Sequence, residues 1–265
     1  MTDLQETRAV VTGGSRGIGR ATTLLLLEFG AEVLAVARGA AALASLREEA
    51  GAGAALHVLT ADLATEDGRA RVGAYVAERF GGSLDVLVNN VGTNIRLPFD
   101  DYPVAELQRL MAVNAESAFG LSQALLGALS RKPAGNRPDA TRTSAIVNVS
   151  SVAGQNVVGT STGAYAMTKG ALDNLTRWQA VAWAARGIRA NAVLPWYTVT
   201  ELTAPLLERA DLVRAVEAVT PLGRWAEARE VAQVIAFLAS PAASYVTGAF
   251  VPVDGGYLAH GIGAV

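Results

Sequence analysis

Seven short, β-branched and apolar runs alternate with helix-length segments along the chain, and this alternation narrows the choice of fold more than any other feature. Residues 8–12, 32–37, 55–59, 84–89, 145–149, 188–194 and 249–253 read as strands. Residues 17–29, a segment ending near 50, and residues 65–80, 103–129, 163–185 and 226–239 read as helices. Gly30, Gly81, Gly82 and Gly187 punctuate their ends. Apolar runs of this kind suit strands buried on both faces, and strand–helix alternation implies a parallel sheet with helices packed on each side. The expectation is an α/β protein, doubly wound, in one domain. No Pro/Ser-rich linker divides residues 1–265.

Bulk composition bounds the function. Apolar residues make up 51% and charged residues 17%, enough for a large core, and the formal net charge is −2. A balance on the acidic side with no basic run argues against a nucleic-acid or anionic-membrane partner. The chain has no cysteine, which removes thiolate catalysis and Cys-ligated metals. His57 and His260 are too sparse to suggest a metal site, so no metal is expected. The polar first residues do not resemble a signal peptide and the apolar runs are too short to span a bilayer. A cytoplasmic protein is the expectation.

Two patterns carry chemistry. The first strand runs into Thr12-Gly13-Gly14-Ser15-Arg16-Gly17-Ile18-Gly19, a tight turn opening a helix. Glycine there permits unusual backbone angles and close approach of a ligand, and the helix N-terminus offers N–H groups and a positive dipole to a pyrophosphate. The second pattern is Tyr165-Ala-Met-Thr-Lys169, notable because Lys132 and Lys169 are the only lysines among 22 basic residues. Residues four apart share a helix face, where an ammonium favours a phenolate.

Thr-Gly-x-x-x-Gly-x-Gly resembles the short-chain dehydrogenase/reductase family. Asn89-Asn90-Val91-Gly92 is similar to that family's Asn-Asn-Ala-Gly, and Asn114, Ser151, Tyr165 and Lys169 match its catalytic positions in order. The tail from Ser244-Tyr245-Val246-Thr247-Gly248 to Val253-Asp254-Gly255-Gly256 fits as well, so the resemblance covers nearly the whole chain. Thr168 to Arg177 with Pro241-Ala242-Ala243-Ser244-Tyr245 looks most like its tropinone reductase-like branch. The resemblance implies a Rossmann-type domain with sheet order 3-2-1-4-5-6-7. Its cofactor half would span about 1–150 and its substrate loop or lid about 195–221. It also implies a homotetramer, with a dimer as the alternative, packed through the helices of Asn114 and Lys169 and through the C-terminal strand region.

An acid at the end of the second strand would accept NAD ribose hydroxyls. Here that strand ends Val36-Ala37-Arg38, and Arg16 projects from the glycine turn. Two guanidiniums without a carboxylate favour a 2′-phosphate, hence NADP(H). By resemblance the cofactor contacts are Gly13, Ser15, Arg16, Gly17, Ile18, Gly19, Arg38, Asp62, Leu63, Asn89, Asn90 and Gly92. Tyr165, Lys169, Pro195, Trp196, Thr198 and Thr200 complete the set. Asp62 reads equally as a helix N-cap.

At the reacting centre, Tyr165 is expected to act as general acid in reduction and general base in oxidation, with Lys169 lowering its pKa. Ser151 would hold the substrate oxygen. The resemblance puts Asn114 on a kinked helix as part of a proton relay. Ser151 lies fourteen residues before Tyr165, where thirteen is commoner in the family, so Ser150 remains an alternative. Pro195-Trp196 replaces the usual Pro-Gly. Trp196 cannot take glycine-only angles cheaply, so an ordinary turn is expected, with Trp196 and Tyr197 forming a pocket wall. Asn94, Ile95, Arg96, Ser151, Gln155, Asn156, Val157 and Leu202 complete the expected substrate pocket, Arg96 reading either as a contact for an anionic group or, slightly favoured, as a solvent-facing residue. Trp178 and Trp183 read as packing residues, Gly154 and Gly159 as loop punctuation, and 131–142 as an exposed loop.

The expected activity is NADPH-dependent interconversion of a small or medium hydrophobic ketone and its secondary alcohol. A 3-oxoacyl-carrier-protein reductase is the alternative enzyme, ranked second because Arg131, Arg137 and Arg142 are scattered. A non-catalytic NADP(H)-sensing regulator is the alternative of another class.

Overall fold

A computed structural model describes residues 4–130, 143–159 and 161–260. In chain order the strands are β1 (Arg8–Thr12), β2 (Glu32–Ala37), β3 (Leu56–Thr60), β4 (Val86–Asn89), β5 (Ser144–Val149), β6 (Ile188–Pro195), β7 (Thr198–Val199), β8 (Ala226–Glu227) and β9 (Phe250–Val253). Seven of them form one parallel sheet ordered β3-β2-β1-β4-β5-β6-β9. This is the expected order, the last strand becoming ninth because the two-residue ladder β7–β8 intervenes. The domain is a single α/β Rossmann-type unit.

The sheet's two faces explain the apolar strand runs. Ala9, Val11, Val33, Val86 and Val88 point to one face, against Leu25 and Leu26 of α1 (Gly17–Glu28) and Val231 and Ile235 of α10 (Ala228–Ala239). The alternate residues Val10, Leu34, Val36, Leu87 and Ile146 pack on the other face. Their partners there include Val72 and Val76 of α3 (Glu66–Arg79) and Leu121 of α5 (Ser117–Ala124). Side-chain alternation with period two therefore feeds two cores, and both sets of positions must be apolar. At the open edge β3 is only half buried; α2 (Ala40–Ala50) covers it and His57 Nε2 pairs with Glu32 Oε1 at 2.9 Å.

Two helices differ from their expected spans. The helix expected over 103–129 is α4 (Val104–Met111), a π-helical turn (Ala112–Glu116), α5, and after Leu125 a short α6 (Leu126–Leu129). The Ser117 N–H bonds back to Ala112 O, while its hydroxyl takes Val113 O at 2.6 Å, so one residue is looped into the helix. Helix α7 (Gly163–Ala182) stops before 185, passing into a 3-10 turn closed by Gly187 in the left-handed conformation (φ 71°). The expected lid segment 195–221 holds two short helices, α8 (Ala204–Leu207) and α9 (Ala210–Ala218). The expected loop at 131–142 lies outside the described residues.

Candidate active site

The C-terminal ends of β1, β2, β4, β5 and β6 open into one cavity of about 980 Å³. Its floor begins at the glycine turn. Gly17 has φ 50°, and a Cβ on Gly19 would sit 2.2 Å from Gly13 O and 2.4 Å from Asn90 Nδ2. The start of α1 therefore packs directly on the turn, which only hydrogen at that Cα allows. Helix α1 has no side-chain N-cap, whereas Thr65 caps α3 and a Glu227/Glu230 capping box closes α10. One α1 N–H, that of Gly17, is met by a carboxylate: Glu201 Oε2 at 2.9 Å. An anion on an uncapped helix start beside two arginines, Arg16 and Arg38, suits a phosphate-bearing cofactor.

The strand ends are clipped together by side chains. Thr12 Oγ1 donates to Val88 O and accepts from the N–H groups of Asn90 and Val91 (3.1, 2.8 and 3.1 Å). Asn90 Nδ2 donates to Thr12 O at 2.9 Å. Asn89 turns away from the cavity into a buried polar chain, donating to Asn148 Oδ1 (2.8 Å) and Ser122 Oγ (3.2 Å). Asn148 continues to Thr176 and Gln179 of α7 at 2.8 and 3.0 Å. This chain fastens β4 and β5 to α7, which carries Tyr165 and Lys169.

Ser151 and Tyr165 both line the cavity, and the Ser151 hydroxyl, which accepts from Ala153 N at 3.1 Å, acts on the Tyr165 phenol. Adjacent Ser150 instead directs its hydroxyl to Lys169 O at 3.3 Å. Lys169 is 3% exposed and its Nζ donates to Val149 O at 2.8 Å, lying 5.6 Å from the Tyr165 ring centroid. Burial drives its pKa down to about 8, with the Asp173 charge opposing. Burial pushes the Tyr165 phenol up, while the Ser151 hydrogen bond and the Arg96 guanidinium draw it down and Asp173 adds to the rise.

Asn114 lies in the π-helical turn, where its amide clamps Thr93 from both sides, accepting from Thr93 N (2.8 Å) and donating to Thr93 O (2.9 Å). It also donates to Thr168 Oγ1 at 2.9 Å. Its side chain is thus a tie between the loop after β4 and α7. Trp196 adopts ordinary backbone angles; among the described residues Glu6 alone combines a side chain with positive φ. The indole stacks on Tyr257 (centroids 3.8 Å, planes 9° apart), donates to Thr220 Oγ1 at 3.0 Å, and meets Tyr197 edge-on. Asp254 positions Tyr257 by accepting from Gly256 N and Leu258 N.

Most of the expected contacts line this cavity: Gly13, Ser15, Arg16, Gly17, Ile18, Arg38, Asp62, Leu63, Asn90, Gly92, Ser151, Tyr165, Lys169, Pro195, Trp196, Thr198 and Thr200. Asn94, Arg96, Tyr197 and Leu202 line it too, while Gly19 and Asn89 stand behind its wall. Asp62 does not cap α3; its Oδ1 accepts from Ala64 N at 3.1 Å, one turn before the Thr65 cap. Ile95, Gln155, Asn156 and Val157 are not among the lining residues. Gln155 bonds Asp173 across a tight contact in which Gly154 leaves no room for a Cβ, so Gly154 is a packing requirement beyond loop punctuation. Val158 and Thr162 line the cavity in place of that segment, and Glu201 lines it without any motif to mark it.

Comparison with known proteins defines the class. The family model described as enoyl-(acyl carrier protein) reductase matches residues 13–258. A tropinone reductase homologue from Arabidopsis thaliana is 42% identical over 96% of this chain and 92% of its own. The RhlG/NADP complex of Pseudomonas aeruginosa is 34% identical, with a TM-score of 0.88 over 96% of this chain and 97% of its own. A Burkholderia cenocepacia gluconate 5-dehydrogenase in complex with NADP and tartrate is 31% identical, with a TM-score of 0.86 over 98% of each chain. The chain belongs to the short-chain dehydrogenase/reductase family and is similar to its tropinone reductase-like members. It is an oxidoreductase acting on CH–OH or C=O groups, and both of these solved relatives hold NADP.

Proposed function

We propose that this protein interconverts a small or medium hydrophobic ketone and its secondary alcohol, working as an NADPH-dependent carbonyl reductase. The carrying observation is the hydroxyl pair of Ser151 and Tyr165 in the same cavity as the glycine turn and Arg16 and Arg38. NADP(H), when bound, supplies or takes up the hydride. The chain's own residues do the rest. Arg16 and Arg38 hold the 2′-phosphate, and the α1 N-terminus holds the pyrophosphate. Asp62, Leu63, Asn90 and Gly92 line the nucleoside side, with Gly19 and Asn89 shaping the wall behind it. Pro195, Trp196, Thr198 and Thr200 border the nicotinamide.

Ser151 donates to the substrate carbonyl oxygen, and Tyr165 delivers the proton to it in reduction or removes it in oxidation. Lys169 keeps a positive charge beside the phenol, and Asn114 fixes the loop that faces it. Trp196, Tyr197 and Leu202 form the apolar wall, with the segment 195–221 serving as lid and residues 1–150 as the cofactor half. A homotetramer, with a dimer as the alternative, is part of the proposal. It is supported by apolar side chains left exposed on α5 and α7 (Phe119, Met167, Trp178, Val181) and near the C-terminal strand (Tyr245). Cytoplasmic residence belongs to the same proposal, tested by cell fractionation.

The test is oxidation of NADPH with a panel of ketones and one 3-oxoacyl thioester, followed by the loss of reduced-nicotinamide absorbance. Turnover of simple ketones supports the reading. Preference for the carrier-bound thioester favours the acyl-carrier alternative, and NADPH binding with no carbonyl reduced favours a regulator.

A further inference from the structure

The charged residues lining the cavity divide between its two ends. Six carry formal charge: Arg16, Arg38, Asp62, Arg96, Lys169 and Glu201. Arg16, Arg38 and Asp62 stand with the glycine turn, and Glu201 is bonded to Gly17 N–H at that same end. Lys169 is committed to Val149 O. Arg96 stands apart. It is exposed at the cavity lining that also holds Tyr165, where among the described residues it has no hydrogen bond or ion pair, and its charge acts on the Tyr165 phenol.

The loop that carries Arg96 is held on both sides. Asn114 clamps Thr93 through two hydrogen bonds, and Tyr102 Oη donates to Ile95 O at 3.1 Å. A guanidinium on a tethered backbone, without a protein carboxylate to satisfy it, is organised for an anion brought by a ligand. The apolar wall of Trp196, Tyr197 and Leu202 lines the same cavity.

We infer that the substrate is an oxo acid with a hydrophobic body, its carboxylate paired with Arg96 and its oxo oxygen held by Ser151 and Tyr165. This rests on the carbonyl-reductase reading and names the substrate class within it. In the reduction, hydride adds to the carbonyl carbon as NADPH becomes NADP⁺, the C=O π bond breaks onto oxygen, and the Tyr165 proton completes the hydroxyl. The carboxylate is unchanged. The same guanidinium repels ketones carrying an ammonium group.

Three matched probes decide this: benzoylformate, its ethyl ester, and a cyclic ketone bearing a tertiary ammonium. Wild type is expected to use the acid at least about tenfold better than the ester in kcat/KM at low salt, with the preference shrinking as ionic strength rises. The ammonium ketone should be the poorest. Arg96→Gln should collapse the acid-to-ester ratio by about tenfold or more, and Arg96→Lys should keep part of it. Equal use of acid and ester by wild type, or an unchanged ratio in Arg96→Gln, overturns the inference. Reduction of the ester but not the acid sinks this inference alone. Reduction of none of the three, with NADPH still binding, sinks the carbonyl-reductase reading with it.

Discussion

Lys169→Met should abolish most turnover and, near pH 7, make the protein more stable. Lys169 is buried, and its pKa falls from an ordinary 10.5 to about 8 because the ammonium loses its water. At about 1.4 kcal/mol per pH unit this displacement costs the folded state about 3 kcal/mol wherever the group is charged in both states. The sign follows from the proton count. Between about pH 8 and 10.5 the unfolded chain binds the proton and the folded one does not, so stability attributable to this group rises with pH across that window. Below about 8 the full penalty applies.

Replacing Lys169 by Met removes the penalty but orphans Val149 O, which the ammonium reaches at 2.8 Å, at a cost of about 1–2 kcal/mol. The net expectation near neutral pH is a gain of about 1–2 kcal/mol. Denaturant unfolding of both proteins in parallel, at pH 7 and about pH 9.5, cancels every group they share. The mutant's advantage should fall by about 2 kcal/mol over that interval as the wild type sheds its penalty. A mutant less stable than wild type at pH 7, or a difference that does not move with pH, refutes the reasoning.

Tyr165→Phe should lower turnover by about 10²–10⁴ while leaving NADPH titration nearly unchanged, because the hydroxyl acts on the substrate oxygen; comparable losses of both would point to collapse of the site. Arg96→Gln removes a charge that draws the Tyr165 phenol down, so the acidic, ascending limb of alcohol oxidation should move to higher pH, read from kcat/KM profiles. Glu201→Gln should tighten NADPH binding about three- to tenfold, measured by nicotinamide fluorescence, because a carboxylate on Gly17 N–H opposes a phosphate there. Trp196→Gly should change the ranking of ketone substrates more than cofactor affinity; the reverse outcome would remove Trp196 from the substrate wall.

Several parts of the site could be read from local pattern alone, each because the constraint is local. The glycine turn is legible because backbone angle and close approach admit only glycine at Gly17 and Gly19. The strands are legible because residues such as Val10 and Val11 face opposite cores and both must be apolar. Tyr165 and Lys169 share a helix face at any tertiary arrangement. Pocket residues in the loop after β5 were harder to place. Gln155 has the same polarity whether it faces a ligand or Asp173, and only the packing of Gly154 against α7 turned it inward.

The sequence by itself determined the order of strands and helices, the phosphate-binding turn and the residue types of the reacting centre, since these follow from periodicity, sterics and spacing along one chain. Tertiary structure decided what those groups do to one another. It turned the Ser150 hydroxyl to Lys169 O and set Ser151 to act on the Tyr165 phenol, although the two serines are adjacent and chemically identical. It gave the capping of α3 to Thr65 rather than Asp62, and gave Lys169 a backbone partner in Val149 O. It also left Arg96 beside the phenol with no acidic partner among the described residues. Burial and the direction of a side chain depend on what distant segments bring alongside, and no spacing along the chain encodes that.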